Sequence, residues 1–173
     1  MARDVQNPDF KLLFPEHKKY NLIVFGAQEC PRGNKDNFIA AVEAYIGKDY
    51  VRIASEGMWE MFIVGFVKKK DIGQLMNVET NQISRGFMNM VGNKGGISLN
   101  FTFYDKIFSF INVHLESGTG GKAISRNEMM EKILKSISTR KNLEKVEPDA
   151  VSDFNWIFGD MNARFKSTYS DHI

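Results

Sequence analysis

The chain contains very little cysteine, which limits how it can be stabilised. Cys30 is the single cysteine among 173 residues, so an internal disulfide is excluded and the composition fits a reducing compartment. No apolar run approaches the roughly 20 residues that a bilayer-spanning helix needs. The N-terminus carries Arg3 and Asp4 and lacks the pattern of a signal peptide. We therefore expect a cytoplasmic protein.

A large charge imbalance is also absent. The formal net charge of +2 is too small to indicate nucleic-acid binding, so no nucleic-acid partner is expected. With 43% hydrophobic and 25% charged residues, the chain has the composition of a globular protein that buries a core. Its length fits one domain or part of one. Residues 1–20 are expected to be an irregular lead-in, and residues 21–173 to form the domain.

The most informative stretch lies near the C-terminal end. An apolar run from Phe154 to Phe158 predicts a strand that stops at Gly159, and Asp160, Asn162 and Arg164 follow at every second position. Because strand side chains alternate between faces, these three would share one side if the extended conformation continued. An acid, an amide and a guanidinium in one volume suit phosphate chemistry. A surface turn is the alternative, since Gly, Asp and Asn are common turn residues.

Polar residues that could take part in catalysis or binding also lie at the ends of other predicted strands. Glu29 comes just after the apolar run Leu22–Phe25, although a solvated loop acid has the same pattern. Asn112 and His114 share one parity at the end of the strand predicted over Ile107–Leu115, where a lone histidine is usually structural. Asn93 and Lys94 stand between glycines, which let a backbone approach an anion. Such turns are common, and this one does not match the P-loop pattern.

The remaining elements are predicted from periodicity. A helix capped by Asn34 carries an apolar stripe to Ile46 and stops at Gly47. Further strands are predicted over Tyr50–Ile53, Met58–Val67 and Ile97–Phe103, with a hairpin at Tyr104–Lys106. A second helix after Gly121 is predicted to run to about Lys141, its stripe being Met130, Ile133, Leu134 and Ile137. The basic cluster Lys68–Lys70 is interpreted as a solvated strand end, with an anionic membrane contact as the alternative.

Together these motifs resemble the inositol polyphosphate 5-phosphatases of the endonuclease/exonuclease/phosphatase superfamily. The resemblance covers roughly residues 20–165 in unbroken order, and no single motif would carry it. The motifs are Gln28-Glu29, Gly92-Asn93-Lys94-Gly95-Gly96, Asn112 followed by Val113-His114-Leu115, Arg126-Asn127, and Gly159-Asp160-Met161-Asn162-Ala163-Arg164.

The resemblance implies a fold, a cofactor and residue roles. The fold class would be α+β: a four-layer α/β/β/α sandwich of mainly antiparallel sheets, like deoxyribonuclease I, and incomplete in this chain. Glu29 would help hold Mg²⁺, and His114, Asp160 and Asn162 would be catalytic, with Asp160 holding the attacking water in line. The residues expected to contact substrate phosphate are Asn93, Lys94, Asn112 and Arg164. The implied substrate is the 5-phosphate of a phosphoinositide or a soluble inositol polyphosphate.

The sequence also departs from the family pattern. The family has an aromatic residue at the position of Ala163 and a tryptophan at that of Ile157, and its opening strand carries an asparagine that residues 1–20 do not supply. Ser170-Asp171-His172 copies the letters of a closing motif that belongs on a central strand. A catalytically dead relative, kept as a structural subunit and completed by a partner chain, is therefore the second hypothesis. A nuclease of the same superfamily is the third.

Overall fold

The structure is a computed structural model that describes residues 9–31, 33–84, 94–137 and 152–164, with the backbone alone at 136–137. The lead-in is more regular than predicted. It contains the short helix α1 (Phe10–Leu13) and a 3-10 turn over His17–Lys19. Phe10 is buried in the same cluster as Val42, so this segment packs on the domain. Phe10 is thus part of the core.

The first sheet has three strands, β1 (Leu22–Ala27), β2 (Tyr50–Met58) and β3 (Met61–Lys68), in the antiparallel order β1-β3-β2. The predicted single strand Met58–Val67 was wrong, because the chain reverses at Trp59 and Glu60, where Trp59 has φ 56°. Met58 therefore pairs with Met61 across a tight turn. Because apolar residues stand on both sides of the turn, the sequence pattern shows no break between the two strands. β3 is buried along both faces because it is the central strand.

The second sheet contains β4 (Leu75–Ser84), β5 (Gly95–Phe103), β6 (Lys106–His114) and β7 (Phe154–Asp160), in that order. The predicted hairpin between β5 and β6 is confirmed. Tyr104 and Asp105 both have positive φ (49° and 58°), as a two-residue hairpin turn requires. β7 lies parallel to β6 at the end of the sheet. The sequence did not predict β4, whose side chains are mostly exposed or half-buried.

The two sheets pack face to face through an apolar layer. Its fully buried members are Met61, Ile63, Val67, Ile97, Leu99 and Phe101. Helix α2 (Asn34–Ile46) covers the outer face of the first sheet, and its N-cap is Gly33 rather than Asn34. Helix α3 (Lys122–Ile137) covers the second sheet. This confirms the predicted α/β/β/α sandwich.

Helix α3 follows its predicted stripe with a small rotation. Met129 and Ile133 are its buried apolar residues, and Met130 and Leu134 are partly buried beside them. The side chain of Ile137 and the predicted extension to Lys141 lie outside the described residues. None of the helices in the described ranges has the length and apolar character needed to span a membrane.

β7 leaves one edge of the second sheet open within the described ranges. Phe154 and Trp156 remain 43% and 42% exposed, although the Trp156 ring stacks on Phe110 with centroids 4.7 Å apart. Neither charge nor proline interrupts residues 154–159, and these are the usual devices that protect an edge strand. The edge can therefore accept another strand.

Candidate active site

The candidate site forms where four chain segments end at the same side of the sandwich. In the second sheet Gly95 pairs with His114, and His114 pairs with Asp160, so Lys94, His114 and Asp160 come from neighbouring strands. Glu29 follows β1 in the other sheet and has φ 55°, which turns the chain after the strand. Four residues that lie far apart in sequence are thereby brought to one place.

His114 is the buried centre of this group. Its side chain is fully buried, and Nε2 is in hydrogen-bond contact with Nζ of Lys94. Burial lowers the pKa of His114, and the positive charge of Lys94 lowers it further. Burial also lowers the pKa of Lys94, which the carboxylates of Glu29, Asp160 and Glu60 partly oppose. Burial and the nearby charge of Lys94 both disfavour protonation of His114, so the neutral imidazole can accept a hydrogen bond from Lys94 at Nε2.

Two carboxylates flank the same imidazole nitrogen. Oδ2 of Asp160 lies 3.5 Å from Nε2 of His114, and Oε1 of Glu29 lies 3.9 Å from it. Unlike His114, the two acids are accessible. The side chain of Asp160 is 46% exposed, and that of Glu29 is 62% exposed. The site thus combines the buried His114 and the half-buried Lys94 with two accessible carboxylates, an arrangement that can bind a hard cation and a phosphate together.

Asp160, Asn162 and Arg164 do come together, but not along an extended strand. β7 ends at Asp160, and Asn162 has φ 48°, in the left-handed region that asparagine tolerates. The backbone N–H of Asn162 donates to Oδ1 of Asp160 at 2.8 Å, and Nη2 of Arg164 donates to Oδ1 of Asn162 at 2.9 Å. The turn therefore links acid, amide and guanidinium into one chain of hydrogen bonds.

Asn162 also ties this turn to β6. Its Nδ2 donates to the carbonyl of Leu115 at 3.0 Å and to Oδ2 of Asp160 at 3.2 Å. The N–H of Leu115 in turn donates to the carbonyl of Asp160 at 2.9 Å. Asn162 is buried, so this side chain orients the carboxylate of Asp160 from behind.

The placement of Asn112 does not support its predicted contact with substrate phosphate. Its side chain is fully buried between the sheets. Nδ2 donates to the carbonyls of Phe62 and Ala27, at 2.8 and 3.1 Å, and Oδ1 accepts from Nε2 of Gln28. All of its hydrogen-bonding groups are used inside the protein, because its parity on β6 points it into the layer between the sheets.

Some sequence predictions fall outside the described residues, and others gain a local role. Asn93 and Ser170–His172 belong to the first group. Gln28 and Arg126 were noted only as parts of motifs. Nη1 of Arg126 donates to two carbonyls of the loop after β6, those of Glu116 and Gly118, at 3.2 and 3.0 Å. Because these contacts are to backbone, sequence spacing alone could not assign them.

The donor chemistry fits Mg²⁺. Glu29 and Asp160 supply accessible carboxylate oxygens, the ligands that this ion prefers. Within the described residues, no three histidine, cysteine, aspartate or glutamate side chains form a metal cage.

Comparison with known proteins assigns the family. The sequence profile of Endonuclease/Exonuclease/phosphatase family 2 matches residues 2–173. The chain belongs to this family. Phosphatidylinositol 3,4,5-trisphosphate 5-phosphatase 1 of Xenopus laevis is 30% identical over 157 residues, and the human 5-phosphatase 2 is 29% identical over 149. The predicted membership of the inositol polyphosphate 5-phosphatases is confirmed.

Solved structures support the same fold. The inositol polyphosphate 5-phosphatase domain of SPsynaptojanin, solved with inositol (1,4)-bisphosphate and a calcium ion, matches with a TM-score of 0.72 at 22% identity. The match covers 88% of this chain and 46% of that domain. Cimex nitrophorin, solved as a ferrous NO complex, has a TM-score of 0.67 at 17% identity, covering 93% of this chain and 56% of that one.

The matched region is a small part of the full-length relatives. The alignment with the Xenopus protein covers 87% of this chain but 15% of that protein, and the human alignment covers 84% and 12%. The family and the fold are therefore established for this chain. The activity of the whole relatives is not transferred by the match alone.

Proposed function

We propose that this chain contributes to Mg²⁺-dependent hydrolysis of the 5-phosphate of phosphoinositides or inositol polyphosphates by water. One observation carries the proposal: Asp160 and Glu29 flank the imidazole of His114, which also contacts Lys94. Acidic and basic groups meet there at an accessible surface. Phosphomonoester hydrolysis needs that combination, because negative charge must be neutralised while a water molecule is oriented.

Each residue has a role that follows from its surroundings. Asp160, oriented by Asn162, would accept a hydrogen bond from the attacking water and hold it in line. Lys94 would neutralise charge on the phosphoryl oxygens. The pKa of His114 is lowered by burial and by Lys94, so the imidazole is neutral at pH 7 and can hold or pass one proton at Nε2. Mg²⁺, held at Glu29, would supply Lewis-acid stabilisation of the phosphate and leaving oxygen.

The test is phosphate release from phosphatidylinositol 3,4,5-trisphosphate in the presence of Mg²⁺. Asp160→Ala and His114→Ala should each reduce release by about 100-fold or more, within the range for loss of a positioned acid–base group. Asp36→Ala is the control, because Asp36 is an exposed acid in the first turn of α2. Release that survived both site substitutions would contradict the proposal.

A catalytically dead structural subunit is the alternative function. One observation favours it: the edge of β7 has no partner within the described residues. A fold does not by itself establish an activity. We propose that a partner chain would cover this edge. A folded sample without phosphate release, together with a larger hydrodynamic size when the partner is added, would favour this role.

A nuclease of the same superfamily is less well supported. The net charge of +2 offers little attraction for a nucleic-acid backbone. DNA cleavage that is lost in both Asp160→Ala and His114→Ala, without phosphate release from inositol lipids, would instead identify a nuclease.

A peripheral contact with anionic membranes in the cytoplasm is part of the same proposal. Nζ of Lys68 donates to the carbonyl of Lys18 at 2.6 Å, so the basic clusters Lys18–Lys19 and Lys68–Lys70 adjoin each other. Lysines in such numbers are attracted to anionic lipid headgroups. Replacing Lys68–Lys70 by Glu should reduce sedimentation with vesicles of phosphatidylcholine and phosphatidylserine. The same change at Lys122, Lys132 and Lys135 on α3 is the control, and equal losses would contradict the assignment.

A further inference from the structure

We propose that Asn112 is a positioning residue that sets the distance between the two halves of the candidate site. The inference rests on the proposed function, because it concerns the same site. It reassigns a residue that the sequence placed against substrate phosphate. The Asn112 cluster consists of Asn112, Gln28, Gly26 and Gly159.

The hydrogen bonds of Asn112 join the two sheets. Asn112 belongs to β6 in the second sheet, whereas both of its carbonyl acceptors, Ala27 and Phe62, lie in the first. Ala27 and Phe62 also form the last pair between β1 and β3. A single amide therefore clamps two strand ends of one sheet to a strand of the other. Gln28 adds a third contact at Oδ1.

Two glycines make room for this amide. A Cβ on Gly26 would lie 2.4 Å from the ring of Phe158 and 2.8 Å from Cγ of Asn112. A Cβ on Gly159 would lie 2.8 Å from Oδ1 of Asn112 and 2.1 Å from the carbonyl oxygen of Val113. Any side chain at either position would move Asn112 or separate the strands. The Asn112 amide therefore requires glycine at both positions, Gly26 and Gly159.

Every member of the cluster lies close in sequence to a residue of the candidate site. Gln28 precedes Glu29, Gly159 precedes Asp160, and Asn112 stands two residues before His114. A shift of the cluster would therefore change the separations of 3.5 and 3.9 Å that join His114 to the two acids. Displacements of about 1 Å in such sites can cost about 100-fold in rate.

The burial of an amide in an apolar layer also needs an explanation. Ile97 faces Asn112 in the sheet, and both are fully buried. An apolar residue would fill this layer but would leave two carbonyls and one amide without partners, which costs stability. Stability alone could be provided by apolar packing throughout this layer. The fixed geometry of the strand ends is what the amide adds.

The experiment compares Asn112→Ala, Asn112→Asp and Gln28→Ala with Ser109→Ala. Ser109 is a matched control, because it is buried on the same strand and donates to Oδ1 of Asn100 at 2.7 Å, remote from the site. Three quantities are measured: hydrogen exchange of residues 27–31, the Kd for Mg²⁺ alone by calorimetry, and kcat with KM for the 5-phosphatase reaction.

The cluster variants should lose about 10- to 100-fold in kcat and in Mg²⁺ affinity, as is usual when residues behind metal ligands are changed. KM should change little, and residues 27–31 should exchange faster. Asn112→Asp should not restore the wild-type values, because it lacks the Nδ2 donor. Gln28 is half-buried, so Gln28→Ala serves if the Asn112 variants do not fold.

The outcomes separate this inference from the proposed function. If the wild-type chain releases no phosphate, the proposed activity fails, and the hydrogen-exchange comparison still tests the cluster. If Gln28→Ala and the folded Asn112 variants match Ser109→Ala in exchange of residues 27–31, Asn112 is an ordinary buried amide and the inference is overturned.

Discussion

The close approach of β7 to β6 leads to a sharp prediction about Gly159. This residue has φ +122°, a conformation that side chains rarely adopt, and an added Cβ would lie 2.1 Å from the carbonyl oxygen of Val113. The neighbour is backbone within a paired strand, so it cannot rotate away. We therefore expect Gly159→Ala to be strongly destabilising.

The magnitude can be built from two contributions. Backbone strain at a glycine-only conformation costs roughly 1–3 kcal/mol, and overpacking adds roughly 1–3 kcal/mol. Gly47→Ala isolates the strain, since Gly47 has φ +82° with nothing within 4 Å of the added Cβ. Gly73→Ala is the control for both contributions, because its Cβ would also meet nothing and its φ is not positive. That control should be neutral or stabilising by about 0.4–1 kcal/mol through the unfolded chain.

Urea denaturation monitored by circular dichroism gives the free energies of unfolding. The expected order of destabilisation is Gly159→Ala above Gly47→Ala, and Gly47→Ala above Gly73→Ala. The loss at Gly159 is roughly 2–6 kcal/mol, from strain and overpacking combined, which is a large part of a typical domain stability. Equal stabilities for the Gly159 and Gly73 variants would refute the described contact between the two strands.

Three further predictions concern other groups near the site. Lys94→Met should raise the pKa of His114, because a positive charge that lowers this pKa is removed. An NMR titration of the imidazole without metal measures the change. An unchanged or lower pKa would contradict the pairing of Lys94 with His114. Burial, together with the charge of Glu60, raises the pKa of Cys30 and so lowers the fraction of reactive thiolate. Alkylation of Cys30 by iodoacetamide at pH 8 should therefore be slower than alkylation of glutathione. An equal rate would show an unperturbed thiol. Arg126→Ala should lower the free energy of unfolding by about 2 kcal/mol through two lost charge-assisted hydrogen bonds, whereas the exposed control Lys132→Ala should change it little; equal losses would argue against the loop contact.

Much of the site could be predicted because the family motifs are local. Three of them place a functional residue, Glu29, His114 or Asp160, at or just after the end of a strand, and strands are visible as apolar runs. The gathering of Asp160, Asn162 and Arg164 was predicted, but from an extended strand, whereas the structure uses a left-handed turn at Asn162. The sequence could not reveal this, since asparagine is compatible with both conformations.

The fold was less evident at two places. The turn at Trp59 lies between apolar residues, so the pattern showed one strand instead of two. β4 was missed because most of its side chains remain exposed or half-buried and few apolar residues mark it. In both places pairing with a neighbouring strand, rather than local preference, decides the conformation.

The sequence by itself determined the apolar strands, the hairpin at Tyr104–Asp105 and the acidic, amide and imidazole residues at the strand ends, because periodicity and turn chemistry are local properties. Only the tertiary structure decided which of these residues meet. Asn112 and His114 share one parity on β6, yet one is locked between the sheets and the other faces two carboxylates. The difference arises because the first sheet covers Asn112 through β1 and β3, whereas the chain beyond β1 turns at Glu29 and places a carboxylate beside His114.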